Sequence, residues 1–254
     1  GTSNFIAGVN AGNSITSGGN YNTVVGDEAG TAITTGDSNI GVGFGAVKAA
    51  TTGSQNVGVG VNTLATLTTA SYNTALGTSA LTANTSGANN VAVGTNALEA
   101  NTTGTGNSAL GADALNDCTT GDYNVAIGYQ SQRLTTTADD NTGLGAYTLY
   151  DNTTGTANVA VGFSALANNT TANNNTAVGY NSLTTNTTGT VNTATGWYSL
   201  NLNTTGSQNA AFGERALRSN TTASFNTAMG ALALTANTTG TRNTAVGTSA
   251  LDAS

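Results

Sequence analysis

Short apolar segments recur along this chain at a nearly constant interval, and each one directly follows an asparagine. The first two of these Asn residues are 18 residues apart and all later ones are 17 apart; they are Asn4, Asn22, Asn39, Asn56, Asn73, Asn90, Asn107, Asn124, Asn141, Asn158, Asn175, Asn192, Asn209, Asn226 and Asn243. With this Asn as position 1, the consensus reads N-T-A-V-G-x-x-A-L-x-x-N-T-T-G-x-x. Fourteen full repeats and one partial repeat occupy residues 1–254, so we predict a single repeat domain.

The repeat predicts β-structure rather than helices. Helical-pair repeats are longer, about 33 to 47 residues. The Gly and adjacent Thr residues found here also suit helix interiors poorly. The T-A-V-G and A-L-x segments are short and β-prone, and N-T-T-G is typical of turns. We therefore predict an all-β fold, a β-solenoid of about fifteen coils, in which each 17-residue coil stacks on the last at about 4.8 Å.

Stacking accounts for the positions that hardly vary. We call the residues at one repeat position in successive coils a column. The Asn column from Asn4 to Asn243 is predicted to form a ladder of amide hydrogen bonds, and the position-13 column from Thr16 to Thr238 to do likewise through hydroxyls. The invariant Gly of position 5 predicts a corner where a Cβ would clash or φ is positive. Position 15 has Ala in place of Gly in some repeats, so the backbone there requires glycine less strictly than at position 5.

The large apolar residues of the repeat predict the core, and its small residues predict contact with another chain. Position 4, almost always aliphatic, and position 9, mostly Leu, are predicted to supply the core. Strand alternation sends positions 2 and 4 to one side and positions 3 and 5 to the other. Since positions 3 and 5 are Ala and Gly in most repeats, we predict that this second side meets another chain in a homotrimer. The alternative is a monomeric rod whose small residues fit a tight corner.

The composition argues against several classes of function. Only 5 residues are Lys or Arg against 12 Asp or Glu, a net charge of −7, so nucleic-acid binding is not expected. Without His there is no imidazole base or His metal site, and one Cys excludes an intrachain disulfide. No stretch approaches the roughly 18 apolar residues of a membrane helix. The acidic residues are scattered, so we predict neither an enzyme nor a cofactor or metal.

The first repeats depart from the consensus, which divides the solenoid into divergent coils over 1–72 and regular coils over 73–254. Gly12 and Gly30 replace the Leu of position 9. Apolar or small residues replace the Asn of position 12; these are Ile15, Ile33, Ala50 and Leu67. The apolar content has moved along the coil, which favours a tapered start or cap over a segment that packs on another part of the protein.

Position 12 has two further features. Cys118 stands there in place of Asn and is predicted to be an inert thiol, packed or partly exposed. Most other position-12 residues match the N-glycosylation pattern, namely Asn84, Asn101, Asn152, Asn169, Asn186, Asn203, Asn220 and Asn237. We interpret them as turn residues, although in a secreted eukaryotic protein they would place sugars on one face.

The eighth repeat also departs from the consensus. Gln132 replaces the Leu of position 9, Leu134 follows two residues later, and Asp139 and Asp140 lie side by side. Two adjacent carboxylates are potential Ca²⁺ ligands. Because solenoids that bind calcium carry Asp in every coil and this pair occurs once, we favour a solvated turn.

Aromatic residues gather in repeats eight to twelve and are the best candidate site. They are Tyr129, Tyr147, Tyr150, Phe163, Tyr180, Trp197 and Tyr198. Four of the seven share position 6, directly after the corner Gly, so a solvent-facing position 6 would give a broken stripe of rings. Exposed rings mark binding surfaces and stack on sugar faces. The alternative, which we favour over ligand contact, is that the rings stabilise one another or fill a seam between chains.

The repeat phrases resemble two groups of fibrous proteins. N-V-A-V-G at 90–94, N-V-A-I-G at 124–128 and N-T-A-V-G at 175–179 resemble the S-V-A-I-G head repeats of trimeric autotransporter adhesins. N-T-A-V-G-T-S-A-L at 243–251, with the N-T-T-G turns, is similar to repeats of phage tail-fibre proteins. The adhesin repeat is shorter than 17 residues. The resemblance implies an extracellular, cell-surface or virion-associated trimeric fibre.

Three functions are compatible with this pattern. We favour a structural fibre for attachment or adhesion, with the aromatic residues as candidates for contact with cell-surface carbohydrate. The second is a subunit of a self-polymerising extracellular filament, since an open coil end offers unpaired backbone. The third is an ice-binding solenoid. Positions 13 and 14 are adjacent and face opposite ways in a strand, so only Asn at 12 and Thr at 14 would form an imperfect outward array.

Overall fold

Residues 2–16 and 18–252 are described by a computed structural model, in which the chain divides into two compact units, 1–124 and 125–254. The first unit contains seven strands: β1 (Phe5–Ala7), β2 (Thr23–Val25), β3 (Ile40–Val42), β4 (Val57–Val59), β5 (Thr74–Leu76), β6 (Val91–Val93) and β7 (Ser108–Leu110). The second contains eight: β8 (Val125–Ile127), β9 (Thr142–Leu144), β10 (Val159–Val161), β11 (Thr176–Val178), β12 (Thr193–Thr195), β13 (Ala210–Phe212), β14 (Thr227–Met229) and β15 (Thr244–Val246).

Each unit is a parallel β-solenoid. Within a unit every strand pairs with the next strand in the chain, and equivalent repeat positions lie opposite each other, as in Thr176 with Thr193 and Val178 with Thr195. The predicted fold class, an all-β solenoid with one 17-residue repeat per coil, is confirmed. The described residues include no helix of the length and hydrophobicity that a membrane span requires.

The core is built from the middle residue of each strand together with positions 8 and 9. The middle residue is most often Ala and is fully buried in almost every coil, as at Ala177. The position-9 Leu residues, such as Leu183 and Leu200, are also fully buried, which confirms half of the predicted core. The interior of each coil is therefore narrow, with one Leu packed against small residues.

The prediction that position 4 belongs to the core is wrong. Leu76 and Met229, both at this position, are 48% and 47% exposed. Alternation along a three-residue strand puts positions 2 and 4 on the same side, and that side faces outward because the narrow interior accepts Ala rather than a larger residue. The companion prediction, that the side carrying positions 3 and 5 meets another chain, is wrong for position 3, whose residues from the second coil onward are buried within the solenoid's own coil. Position 3 faces the solenoid's own interior, and position 5 forms a corner.

The predicted Asn ladder is confirmed, and its bonds reach further than side chain to side chain. Asn175 Oδ1 accepts a hydrogen bond from the backbone N–H of Asn192 in the next coil at 2.9 Å. Asn175 Nδ2 donates to the carbonyl oxygen of Gly189 in its own coil at 2.9 Å. Each Asn thus joins two coils and also ties the start of its strand to the turn that closes the coil. Asn175 is fully buried, so each of these bonds satisfies a group removed from water.

Two more columns strengthen the stack. The position-13 hydroxyls donate as predicted, but to backbone carbonyls of the next coil, as from Thr170 Oγ1 to Thr187 O at 3.1 Å. Position 12 forms a second amide ladder that sequence analysis missed, as in Asn186 Nδ2 to Asn169 Oδ1 at 3.0 Å. Because these position-12 amides are buried, the folded coil hides their nitrogen atoms, and the alternative of a sugar-coated face does not fit this structure.

The glycine corner is confirmed on both of the grounds predicted. Gly179 has φ +135°, and a Cβ there would lie 2.6 Å from the carbonyl oxygen of Gly196. Position 15 lacks a positive φ at its glycines, such as Gly189, and therefore accepts Ala. Left-handed backbone also occurs at positions 7, 9 and 17, where it was not predicted. The buried Leu183 has φ 52°, so packing holds a Leu in a conformation that it rarely adopts.

The first coils keep the same path but redistribute core volume. In the second coil Val24, fully buried, replaces the usual Ala in the middle of the strand, and Gly30 replaces the Leu of position 9. A Cβ on Gly30 would lie 2.5 Å from Val24 Cγ1, so the larger strand residue fills the missing Leu volume. Ile33 at position 12 is also fully buried. An exchange of volume inside the coil therefore explains this departure.

Cys118 interrupts the position-12 ladder and provides a stability prediction. Its buried thiol lies 3.7 Å from Gly121 O. In the coil below, the buried Asn101 Oδ1 has no hydrogen-bond partner, because the next residue of the column has no amide to donate. We expect Cys118→Asn to supply that donor and to stabilise the protein by about 1 kcal/mol. This gain corresponds to a rise of about 2–4 °C in Tm.

Thermal unfolding of Cys118→Asn beside Cys118→Ala checks this prediction. The Ala variant removes the thiol without adding a donor, so its Tm should not rise. Equal Tm values for the two variants would show that the unpaired Asn101 oxygen is not the source of the effect.

Candidate functional site

The seven aromatic residues identified from the sequence form one continuous surface on the second unit. We call this surface, Tyr129, Tyr147, Tyr150, Phe163, Tyr180, Trp197 and Tyr198, the aromatic band. The position-6 rings face solvent as the predicted stripe requires, with exposures of 42% at Trp197 and 48% at Tyr129. The corner Gly of position 5 turns the chain away from the sheet face just before each of these rings. Successive rings are therefore presented on the adjoining side of the solenoid.

The break expected in the stripe is closed by Tyr147. The ninth coil has Ala146 at position 6, and the ring of Tyr147 at position 7 fills the space. Its centroid lies 5.5 Å from that of Tyr129 and 5.6 Å from that of Phe163, both in edge-on geometry. Phe163 and Tyr180 stack at 5.4 Å with an interplanar angle of 13°. The rings therefore stabilise one another, as the alternative interpretation predicted, while the position-6 rings Tyr129, Phe163 and Tyr180 remain 45–48% exposed.

Arginine residues that sequence analysis did not include complete one end of the band. The rings of Trp197 and Tyr198 meet edge to face at 4.6 Å. Arg215 lies over Trp197 at 4.5 Å, and Arg218 lies 5.9 Å from the centroid of Tyr198. Such cation–π contacts hold the guanidinium groups against the rings. The signal available in the sequence was their placement, at positions 7 and 10 of the coil that follows Trp197.

The band is locally cationic within an acidic chain. Positions 6 to 11 of its coils and the next hold three of the five cationic residues, Arg133, Arg215 and Arg218, and two carboxylates, Asp151 and Glu214. Glu214 Oε1 lies 3.6 Å from Arg215 Nη1. Partial burial raises the pKa of Asp151, because desolvation disfavours the ionised carboxylate. The balance of charge along the band is therefore positive.

A second surface, which we call the sheet face, is made by the first and third residues of the strands. None of these residues in β1–β15 is Asp, Glu, Lys or Arg, and the third residue is apolar in every strand except β12. None is buried, and Leu110, Ile127 and Phe212 are 40–48% exposed. The first residue is Thr or Ser in eight of these strands, so the face is uncharged throughout and apolar along its third residues. Exposed surface of this kind is typical of an interface with another molecule.

Other predicted features do not come together into a site. Within residues 2–16 and 18–252 no three His, Cys, Asp or Glu side chains are close enough to hold a metal ion, and that part of the chain has no pocket. Gln132 is buried, with Nε2 donating to Val125 O at 2.7 Å. The outward array of positions 12 and 14 proposed for ice binding does not form, because the position-12 Asn side chains are buried.

No protein-family model matches this sequence, and no curated protein matches it. The sheet face and the aromatic band are therefore the features from which a function can be inferred.

Proposed function

We propose that this chain forms the shaft of an extracellular or virion-associated attachment fibre in which identical chains pack through their sheet faces. The single observation that carries this proposal is the sheet face itself, half-exposed and without a charged residue along the strands of both units. Three copies are favoured by the resemblance to trimeric adhesin heads and tail fibres. The proposed role is structural and adhesive rather than enzymatic.

The extent of the sheet face supports an interface. At about 4.8 Å between strands and about 10 Å for a three-residue strand, the seven strands of the first unit present about 340 Å². The eight strands of the second unit present about 380 Å² by the same measure. Patches of this size on a monomer are often functional. The absence of charge is what distinguishes the core of an interface from the rest of a surface.

The regularity of the face favours a second copy of this chain as the occupant. Its side chains repeat at the strand spacing, and only an equally periodic partner meets all of them in the same way. A copy of the same solenoid has this periodicity, because its own outward residues are set by the same strand spacing. The uncharged partner surface also leaves no buried ion unpaired.

Three lysines on the sheet face are expected to disrupt the assembly. Leu144→Lys, Val178→Lys and Phe212→Lys lie at position 4 of alternate coils, and burying an unpaired ammonium in an apolar interface is costly. Light scattering coupled to size exclusion should give three chain masses for the wild type and one for this triple variant. Circular dichroism should show that its β-structure is retained.

A matched control carries the same added charge elsewhere. Thr154→Lys, Thr188→Lys and Thr222→Lys lie in the same three coils at position 14, where the side chains are exposed. This variant should keep the mass of three chains. A wild-type mass of one chain would refute assembly through the sheet face. Rods of variable length with an open-ended mass distribution would instead support the filament.

A further inference from the structure

We propose that the aromatic band binds an extended acidic glycan, with the rings contacting the apolar faces of successive sugars and Arg218 pairing with a sugar carboxylate or sulfate. This inference rests on the attachment role proposed above and names the chemistry of what is attached. It draws on the shape of the band, its rings and its charge.

The shape of the band fits a chain of sugars rather than a small molecule. It extends over coils eight to twelve, a distance of about 19 Å at the strand spacing, and the arginines of coil thirteen lie at its end. That part of the chain has no pocket, so the ligand has to lie along an open surface. A linear oligosaccharide of several residues can contact many weakly binding rings at once, whereas a monosaccharide can contact one or two.

The rings offer a surface that is rigid before the ligand arrives. Tyr147, Phe163 and Tyr180 are linked by ring contacts of 5.4–5.6 Å, and Tyr150 contacts Tyr147 at 5.9 Å. A preorganised surface loses little conformational entropy on binding. The phenolic oxygens add hydrogen-bonding groups next to apolar rings, which suits a ligand with both C–H and O–H groups on its surface.

The arginines select for negative charge. No carboxylate forms an ion pair with Arg218 in the described part of the chain, whereas Glu214 lies 3.6 Å from Arg215. Arg218 is therefore the cation available to a ligand anion, and its guanidinium group is positioned beside Tyr198. A planar guanidinium suits bidentate pairing with a carboxylate or sulfate. Nucleic acid is a poorer candidate, because three arginines in a chain of net charge −7 give little phosphate neutralisation.

Binding of two probes tests the proposal: a hexamer of a linked uronic acid and a neutral glucose hexamer. We expect the wild type to bind the uronic acid hexamer more tightly, with an affinity that falls as salt rises. Arg218→Gln should weaken uronic acid binding about tenfold and leave the neutral hexamer unchanged. Tyr180→Ala with Trp197→Ala should weaken binding of both probes. Isothermal titration calorimetry measures each affinity.

Two control variants match these changes outside the band. Phe44→Ala removes a ring that is 47% exposed at position 6 in the first unit, and should bind as the wild type does. Arg242→Gln removes an arginine at position 17, where Gln55 and Gln208 occur naturally, and should also have no effect.

Several outcomes would overturn the proposal. They are no binding of the uronic acid hexamer, equal binding of both hexamers that Arg218→Gln leaves unchanged, and tighter binding of a single-stranded oligonucleotide. A fall in oligomer mass for the Tyr180→Ala, Trp197→Ala variant would identify the band as a seam between chains instead. Because mass and glycan affinity are separate measurements, failure here is distinguishable from failure of assembly through the sheet face.

Discussion

Replacing Gly179 by alanine is expected to destabilise the protein by about 3 kcal/mol or more. The backbone at Gly179 has φ +135°, where an L-residue is strained by about 1–3 kcal/mol. The added Cβ would also lie 2.6 Å from the carbonyl oxygen of Gly196, and that oxygen belongs to the neighbouring corner rather than to a flexible side chain. Position 5 is Gly in every coil, so no coil of this chain accommodates a methyl group at the corner, and we expect a fall in Tm of about 10 °C.

Gly189→Ala is the matched control in the same coil. A Cβ at Gly189 would lie 2.2 Å from Gly206 O, yet Ala172 and Ala223 occupy the same column in other coils. The difference is that Gly189 does not have a positive φ, so a small shift of the backbone can accept the methyl group. We expect a loss of less than about 1 kcal/mol in thermal or denaturant unfolding. Equal losses at the two positions would show that the positive φ is not decisive.

Removing one amide from the ladder is expected to have the next largest effect. Asn175→Ala takes away the acceptor of the Asn192 backbone N–H and leaves that donor buried. Gly189 O loses one donor but keeps the amide of Asn186 at 2.9 Å. A buried unpaired donor costs about 1–3 kcal/mol, and the small cavity adds to this cost. We therefore expect a loss of about 2–3 kcal/mol, measured by denaturant unfolding at constant m-value.

Asn168→Ala is the control for the ladder, because Asn168 lies in a neighbouring coil with its side chain exposed. Its stability should stay within about 0.5 kcal/mol of the wild type. Asn175→Asp separates shape from charge. It keeps an oxygen acceptor but buries a carboxylate, so its pKa is raised and its deficit relative to wild type should shrink as pH falls. A deficit that is independent of pH would contradict this account.

The sequence predicted part of the aromatic band but not all of its contacts. The shared position of Tyr129, Phe163, Tyr180 and Trp197 was enough to predict a stripe. The link through Tyr147 was not visible, since position 7 becomes a neighbour of position 6 only through the geometry of the corner. Arg215 and Arg218 were missed because they belong to the next coil, and the distance from each arginine to a ring depends on side-chain conformation.

The sequence by itself determined the coil length, the β-class of the fold, the Asn and Thr columns and the glycine corner. These follow from strict periodicity, because stacked coils require the same residue wherever the backbone or a shared hydrogen bond leaves no choice. The tertiary structure alone decided which side of each strand is the inside. Alternation separates Ala177 from Val178 but does not say which faces the core. The width of the closed coil decides it, since a cross-section already filled by the position-9 Leu has room only for Ala, and the larger residue is left on the surface.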